Sequence, residues 1–374
     1  MGCIVLLILL MALTAEASEP GPEPEALYAH TAEYFPAEEG ESRKVLFSFL
    51  GDCALGCNEI DHGKRKSLDS YVSRYGFGYC FEKVRYILEQ DDLTVANLEG
   101  VLADSQEGLA PRTKKAYNFR ADEAYVNILK VGSVEAVTLA NNHAGDYGQP
   151  GFDRTVQALD GQGIGWFGST DWGGQYFIFE QGNVRIGLVG SWVDYYWRHT
   201  DEMQAMFEHM RKVEGCQVII GVIHAGVEYD KRHDNNQTKL ARRFIRWGAD
   251  IVIGHHPHVL QGFRMLEDAP VYYSLGNFVF AGNFTLRTEY TVIMQLALSF
   301  AEDGTYLGSR ANFIPCRLSE HREINDYRPY PVTGQEAQKA IRQMQYDTKA
   351  PWLIRDYVEN VGAMQDFIPP RQDP

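Results

Sequence analysis

A layered α/β core is the fold class that the sequence predicts, and two observations predict it. From residue 45 onward, short apolar runs alternate with amphipathic stretches of helical period. Each of the main apolar runs stops in a cluster of polar residues, the habit of parallel strands whose carboxyl ends form one rim. With 45% apolar residues in 374, there is enough material for a substantial core.

Taken in order, the chain starts with "CIVLLILLMALTA" followed by Ala15-Glu16-Ala17. This short apolar run before an A-x-A pattern resembles a secretory signal peptide over residues 1–17. Export is the expectation, with an uncleaved membrane anchor as the alternative. Residues 18–43 are rich in Pro and Glu and read as an acidic tether with little to bury. The main domain is expected over 44–318, with strands at 45–51, 93–99, 134–141, 218–224 and 250–255. Helices are expected between them at 68–90, 122–132, 151–163, 201–214 and 236–248. The stretch 176–191 breaks this rhythm and reads as a hairpin turning at Gly182-Asn183. A second β-rich region covers 270–318, with a turn at Asp303-Gly304. Residues 319–374 are expected as a helical extension with its helix at 333–347 and a frayed tail.

Charge and cysteine content narrow the function. The formal net charge of -15, with no basic run longer than "GKRK", argues against nucleic acid as a partner. Beyond the leader, Cys53, Cys57, Cys80, Cys216 and Cys316 are an odd, scattered set, not a disulfide scaffold, and read as structural.

Asp52, Glu99, Asn142, His143 with Asp146 after it, His224, and the group His255, His256 and His258 all fall at strand ends. Any one of them alone would read as a cap, a turn or a satisfied core histidine. Together they put carboxylates, an amide and imidazoles on one rim, a donor set for one or two divalent cations. Mn, Zn or Fe suits it better than Mg or Ca. In a His-x-His pair at a strand end both rings face one side, which selects His256 and His258 and turns His255 away. The loop "HAGVEYD" adds Glu228, "SLGNF" adds Asn277, and "PRTKKAYNF" offers Lys114 and Lys115 as anion-binding groups.

The segments "FSFLGDCALG", "DLTVANLEGVL", "FRADEAYVNILKVGSVEAVTLANNHAGDYGQPGF", "VIIGVIHAGVEYD", "GADIVIGHHPHVLQGF" and "VYYSLGNFVF" resemble the CapA-type proteins of poly-γ-glutamate capsule biosynthesis, over about 45–300. The resemblance implies a calcineurin-like metallophosphoesterase fold, a four-layer α/β/β/α sandwich of sheets flanked by helices. It implies Asp52 as a ligand of one metal, Glu99 as the bridging carboxylate, and Asn142, His224 and His256 at the second metal, with His258 returning to the first. His143 becomes the acid or transition-state donor, oriented by Asp146. Three positions depart from the general pattern: Ala54 replaces a histidine, the bridging position is Glu, and Ala144 replaces an acid. The expected function is an exported, metal-dependent hydrolase of a phosphoester in capsule assembly, working beside membrane-bound synthesis machinery. The alternatives are a non-catalytic accessory that binds, exports or anchors the anionic polymer, and a hydrolase acting on a bond other than a phosphoester.

Overall fold

The computed structural model describes residues 26–104, 109, 116–348 and 354–371. The expected leader and the Lys114–Lys115 pair lie outside the described residues. Among the described residues, no helix is long and apolar enough to cross a membrane.

Parallel strands make the body of the molecule: β1 (Arg43–Ala54), β2 (Leu93–Leu98), β3 (Ala136–Thr138) and β4 (Gly165–Thr170) pair side by side. Next come the hairpin of β5 (Phe177–Gln181) and β6 (Val184–Trp192), then β7 (Val218–His224) and β8 (Ile251–His255). Strand β4 meets β6 through one residue pair, Ser169 with Ser191, so two half-sheets join at a narrow seam. Beyond β8 lie β9 (Phe263–Leu266) and β10 (Ala269–Tyr272), while β11 (Asn277–Phe280) runs parallel to the end of β1. The long antiparallel pair β12 (Tyr290–Phe300) and β13 (Tyr306–Arg317) covers the other edge of β1.

Side-chain alternation shows how the sheet closes on itself. Val45, Phe47 and Phe49 of β1 share one core with Val218, Ile220 and Val222 of β7 and with Ile251 and Ile253 of β8. The intervening residues face outward: Leu50 and Val137 meet one helical layer, and Ile219 and Val252 the other. The first layer includes α1 (Leu68–Tyr75), α2 (Arg85–Leu88), α3 (Val126–Val131) and α4 (Gly148–Gln162). The second is α5 (Val193–Arg198), α6 (Thr200–Lys212) and α7 (Asn235–Trp247). A single curled sheet between two helical layers therefore gives the expected four-layer α/β/β/α order. Burial at period two on both faces is what forces it.

Three expectations are corrected. Residues 26–42 are not a free tether: Tyr28 is 1% exposed and its hydroxyl donates to the Val332 carbonyl at 2.6 Å. Phe35 packs on Leu46 and Ala297, and Glu38 pairs with Arg310 at 2.7 Å. A Pro- and Glu-rich composition hid two aromatic anchors. The helix expected over 68–90 is broken, because Gly76 takes φ +82° and turns the chain after α1. The extension after 318 is mixed: besides α8 (Gly334–Asp347), its Tyr330–Pro331 and Ala363–Met364 pair with β13, and Ile368 exchanges two backbone hydrogen bonds with Ser309. Among the described residues, Cys53, Cys57, Cys80, Cys216 and Cys316 are buried thiols without disulfides.

Candidate metal centre

The carboxyl ends of β1, β2, β3, β7 and β8 converge, and the chain is packed backbone to backbone where they meet. A Cβ on Gly51 would stand 2.1 Å from the Gly276 carbonyl oxygen, and one on Gly254 would stand 2.1 Å from that of Tyr273. Only glycine admits these approaches, and each lies one residue before a site residue, Asp52 or His255.

Asp52 is fully buried. It accepts from the Asn97 side-chain amide at 2.8 Å, and the His258 Nδ1 lies 3.0 Å away. Burial pushes the Asp52 carboxyl up, but the His255 and His258 rings outweigh burial and hold it well below the usual carboxylate range. The His258 Nδ1 also reaches the Asn277 Oδ1 at 2.8 Å, which leaves Nε2 facing Glu99 at 3.9 Å. Burial opposes the charged form of His258, but Glu99 and Asp52 together raise its pKa.

Glu99 sits at the middle of the cluster, fully buried, and neither carboxylate oxygen has a hydrogen-bond partner. Burial accordingly raises its pKa. A buried carboxylate left without donors is costly. A cation is the group that would satisfy it. Ligand atoms of Asp52, Glu99 and His258 lie within 4.8 Å of one another, and so do those of Glu99, His224 and His256. Glu99 belongs to both triads, the arrangement a carboxylate bridging two ions requires. The residues present fit one or two divalent ions, and the donor set does not single out one metal.

On the second side, the His224 Nε2 lies 2.7 Å from the Asn142 Oδ1, 3.1 Å from the His256 Nδ1 and 3.8 Å from Glu99. Burial, with His256 beside it, holds the His224 ring well below its ordinary pKa. Burial and His258 likewise lower His256 to about 4. Both rings are therefore neutral, the state a metal ligand needs. His256 and His258 take φ of +98° and +58°, backbone strain at candidate ligand positions of the kind found at functional sites.

His143 stands at the edge of the cluster. Its Nδ1 is 2.6 Å from the Asp146 carboxylate, its Nε2 is 3.9 Å from Glu99, and its ring stacks on Phe119 at 4.3 Å. Asp146 also accepts the Phe119 backbone N–H at 2.8 Å, so one buried carboxylate fixes both the ring and its cover.

Asp52, Glu99, Asn142, His143, Asp146, His224, His256, His258 and Asn277 are thus one constellation. Glu228 is exposed on the loop after β7, and its charge adds to the rise in the Glu99 pKa. His255 does not turn away: its Nδ1 lies 3.3 Å from Asp52. In the parallel pair β7–β8, His255 is the register partner of His224, so both leave the same face of the sheet. Alternation beyond His255 fails because the strand ends there. Asn97 and Asn141 were missed, although both stand in the quoted motifs. Asn141 donates to the Asn97 Oδ1 at 3.1 Å and accepts the His143 backbone N–H at 3.0 Å.

A third group, Cys57, His62 and Asp69, is also close-packed. Its Asp69 partner, with Cys57 adding to the effect, pushes His62 up to about 10, and the His62 Nδ1 lies 2.9 Å from the Asp69 carboxylate.

Residues 46–282 match the family described as Bacterial capsule synthesis protein PGA_cap, which is more than half of the chain. The chain belongs to that family. Within the PGA_cap proteins it is 27% identical to the capsule biosynthesis protein CapA of Bacillus anthracis, over 86% of this chain and 78% of that one. It is 25% identical to the PGA biosynthesis protein CapA of Bacillus subtilis (strain 168), over 83% of this chain and 80% of that one. Among solved structures, a phosphatase from Mycoplasma pneumoniae aligns at 14% identity and a TM-score of 0.41, over 76% of this chain and 96% of that one. A likeness at that level carries no conclusion about this PGA_cap protein's chemistry.

Proposed function

We propose that the chain is an exported, metal-dependent hydrolase of a phosphoester that acts in the assembly of a capsule polymer. The observation that carries the reading is Glu99: a buried carboxylate with no protein donor, shared by two triads of ligand atoms, with an oriented histidine beside it. Asp52, Glu99 and His258 would hold one ion, and Glu99, Asn142, His224 and His256 the other. Bound there, divalent ions supply positive charge to a phosphoryl oxygen and lower the pKa of water. Asp146 holds His143 so that Nε2 points toward the pocket, able to donate a proton to the leaving oxygen. Phe119 covers one face of that ring against water. Asn97 and Asn277 fix Asp52 and His258 before any ion arrives. The leader-like segment 1–17 is the basis for export.

A second reading, a non-catalytic accessory that binds the anionic polymer, is favoured by one feature. Buried Ala54 stands where the general phosphoesterase pattern supplies a histidine, so the Asp52 side has three protein ligands only. Metal content and hydrolysis of an activated aryl phosphate separate the two. The catalytic reading expects His256→Ala to lose metal, and His143→Ala to keep it while turnover falls by about 10²-fold or more. A chain that binds metal and hydrolyses no phosphoester leaves the accessory reading.

A further inference from the structure

Away from the metal centre, a cleft of about 840 Å³ opens between the loop after β7 and helix α8. Four cations stand around it: Lys231 and Arg232 on the loop, Lys339 and Arg342 on the helix. Among the described residues, Lys231, Arg232 and Arg342 make no ion pair. Lys339 alone is paired, with Glu336 at 2.5 Å. Among the described residues other exposed cations, such as Arg65, Lys66, Lys130 and Lys239, also lack an ion pair; what marks the cleft is that three such cations share one concavity. In a chain of formal net charge -15, three uncompensated cations in one concavity form a local exception to the field. One acid, Asp230, also borders the cleft, and its side chain accepts the Arg232 backbone N–H at 2.9 Å.

The walls are fixed rather than loose. Arg232 lies over the Tyr346 ring at 5.0 Å and donates to its hydroxyl at 2.6 Å, tying loop to helix. His233 bonds the Asp347 carboxylate through both its backbone N–H and its ring, at 2.9 and 2.6 Å. The same loop is anchored at the metal centre: the Tyr229 N–H donates to the Pro257 carbonyl at 2.7 Å, and the Tyr229 ring lies 5.9 Å from that of His258. Arg287 sits over the Tyr229 ring at 4.5 Å. Lys231, Arg232 and Arg342 thus stand at one cleft, on a loop and a helix, and the loop's Tyr229 reaches the candidate centre. Several cations in one cleft match a chain of repeated anions better than a single small phosphoester.

We propose that this cleft binds a polycarboxylate chain, with successive carboxylates on Lys231, Arg232 and Arg342, and leads it toward the metal centre. The choice of poly-γ-glutamate as the chain rests on the capsule reading above; the cleft and its charge do not. The test is the binding of fluorescently labelled poly-γ-glutamate to the full chain, followed by anisotropy at low and at physiological salt. The unaltered protein should bind, and more weakly as salt screens the contacts. Lys231→Glu and Arg342→Glu should each weaken binding about tenfold or more. Metal content and melting temperature should stay unchanged, because both side chains are exposed. No binding by the unaltered protein, or binding that both charge reversals leave intact, overturns the proposal. So does an inorganic polyphosphate that displaces the polymer at lower charge concentration, since the site would then be one for phosphate. Hydrolysis of an aryl phosphate by the unaltered protein reports on the catalytic reading separately. Its absence, alongside binding lost in the two variants, removes the catalysis and keeps the cleft.

Discussion

Glu99 carries opposite consequences in the two states of the site. Without a cation its carboxylate is buried and donor-less; with one it has a counter-charge. Glu99→Gln removes the charge and keeps the shape, so the sign of its effect should invert. In chelator, the variant should melt about 2 °C or more above the unaltered chain, because an uncompensated buried carboxylate is gone. With metal added, it should melt lower, because the ion that stabilises only the folded state binds less well. Paired calorimetric melts check this, and a variant less stable in both conditions would mean that Glu99 is satisfied by protein alone. The His62–Asp69 pair gives a pH signature. The bond to Asp69 raises His62 from 6.5 to about 10 in the folded state, so its stabilisation is complete below about pH 6.5 and is lost as pH rises through 10. Against burial, the His62 bond lowers Asp69 from 3.8 to about 2, and that contribution is lost only as pH falls toward 2. His62→Gln should therefore narrow its stability deficit between pH 7 and 10.5, as read by urea melts at each pH.

At the level of elements, the close approach at Gly254 couples strand β8 to the neighbouring chain at Tyr273. Gly254→Ala must push these backbones apart, one residue before His255. It should cost about 2 kcal/mol or more and lower metal affinity, measured by urea unfolding and metal titration. Much at this scale was legible. The hairpin at Gly182-Asn183, helix α7 (expected over 236–248, found over Asn235–Trp247), and the strand ends that carry the candidate ligands all follow local rules of period and punctuation. His255 was not legible, because its direction depends on register with His224 on another strand. Asn97 and Asn141 escaped for a related reason: their amides act on other site residues, and a sequence does not show which side chains a buried amide will meet.

At the scale of the whole molecule, the amino-terminal segment is part of the fold. Tyr28 and Phe35 each bury an aromatic ring, worth about 2 kcal/mol apiece, and Glu38 and Glu41 add polar contacts to Arg310 and Ser299. A chain beginning at Ser42 should melt about 5 °C or more below one beginning at Ala26, as read by thermal scanning. Equal melting temperatures would return the segment to the role of a tether. Composition misled here because two aromatics in an acidic, Pro-rich stretch do not alter its average, yet Tyr28 bonds to Val332 and Tyr357 and Phe35 packs on Ala297 as well as the nearer Leu46.

The seam between the half-sheets has one further consequence. Asp52, Glu99, Asn142 and His143 come from the β1–β3 side, and His224, His255, His256 and His258 from β7 and β8 and the residues just after it; β4 and β6 pair only at Ser169 and Ser191, while β11 also pairs with β1 at Asp52 and Asn277. The apolar core also spans the two halves, but at the rim it is the ligands that face each other. An ion there would act as a clasp between the two groups of side chains, and its removal would loosen the rim. Loosening should expose the rim loops to proteases. Limited proteolysis with chelator should cut near residues 226–232, and restoring the ion should abolish the cut. On the proposed export, survival among secreted proteases would then depend on picking up metal, so that the supply of metal outside would set how long the molecule lasts.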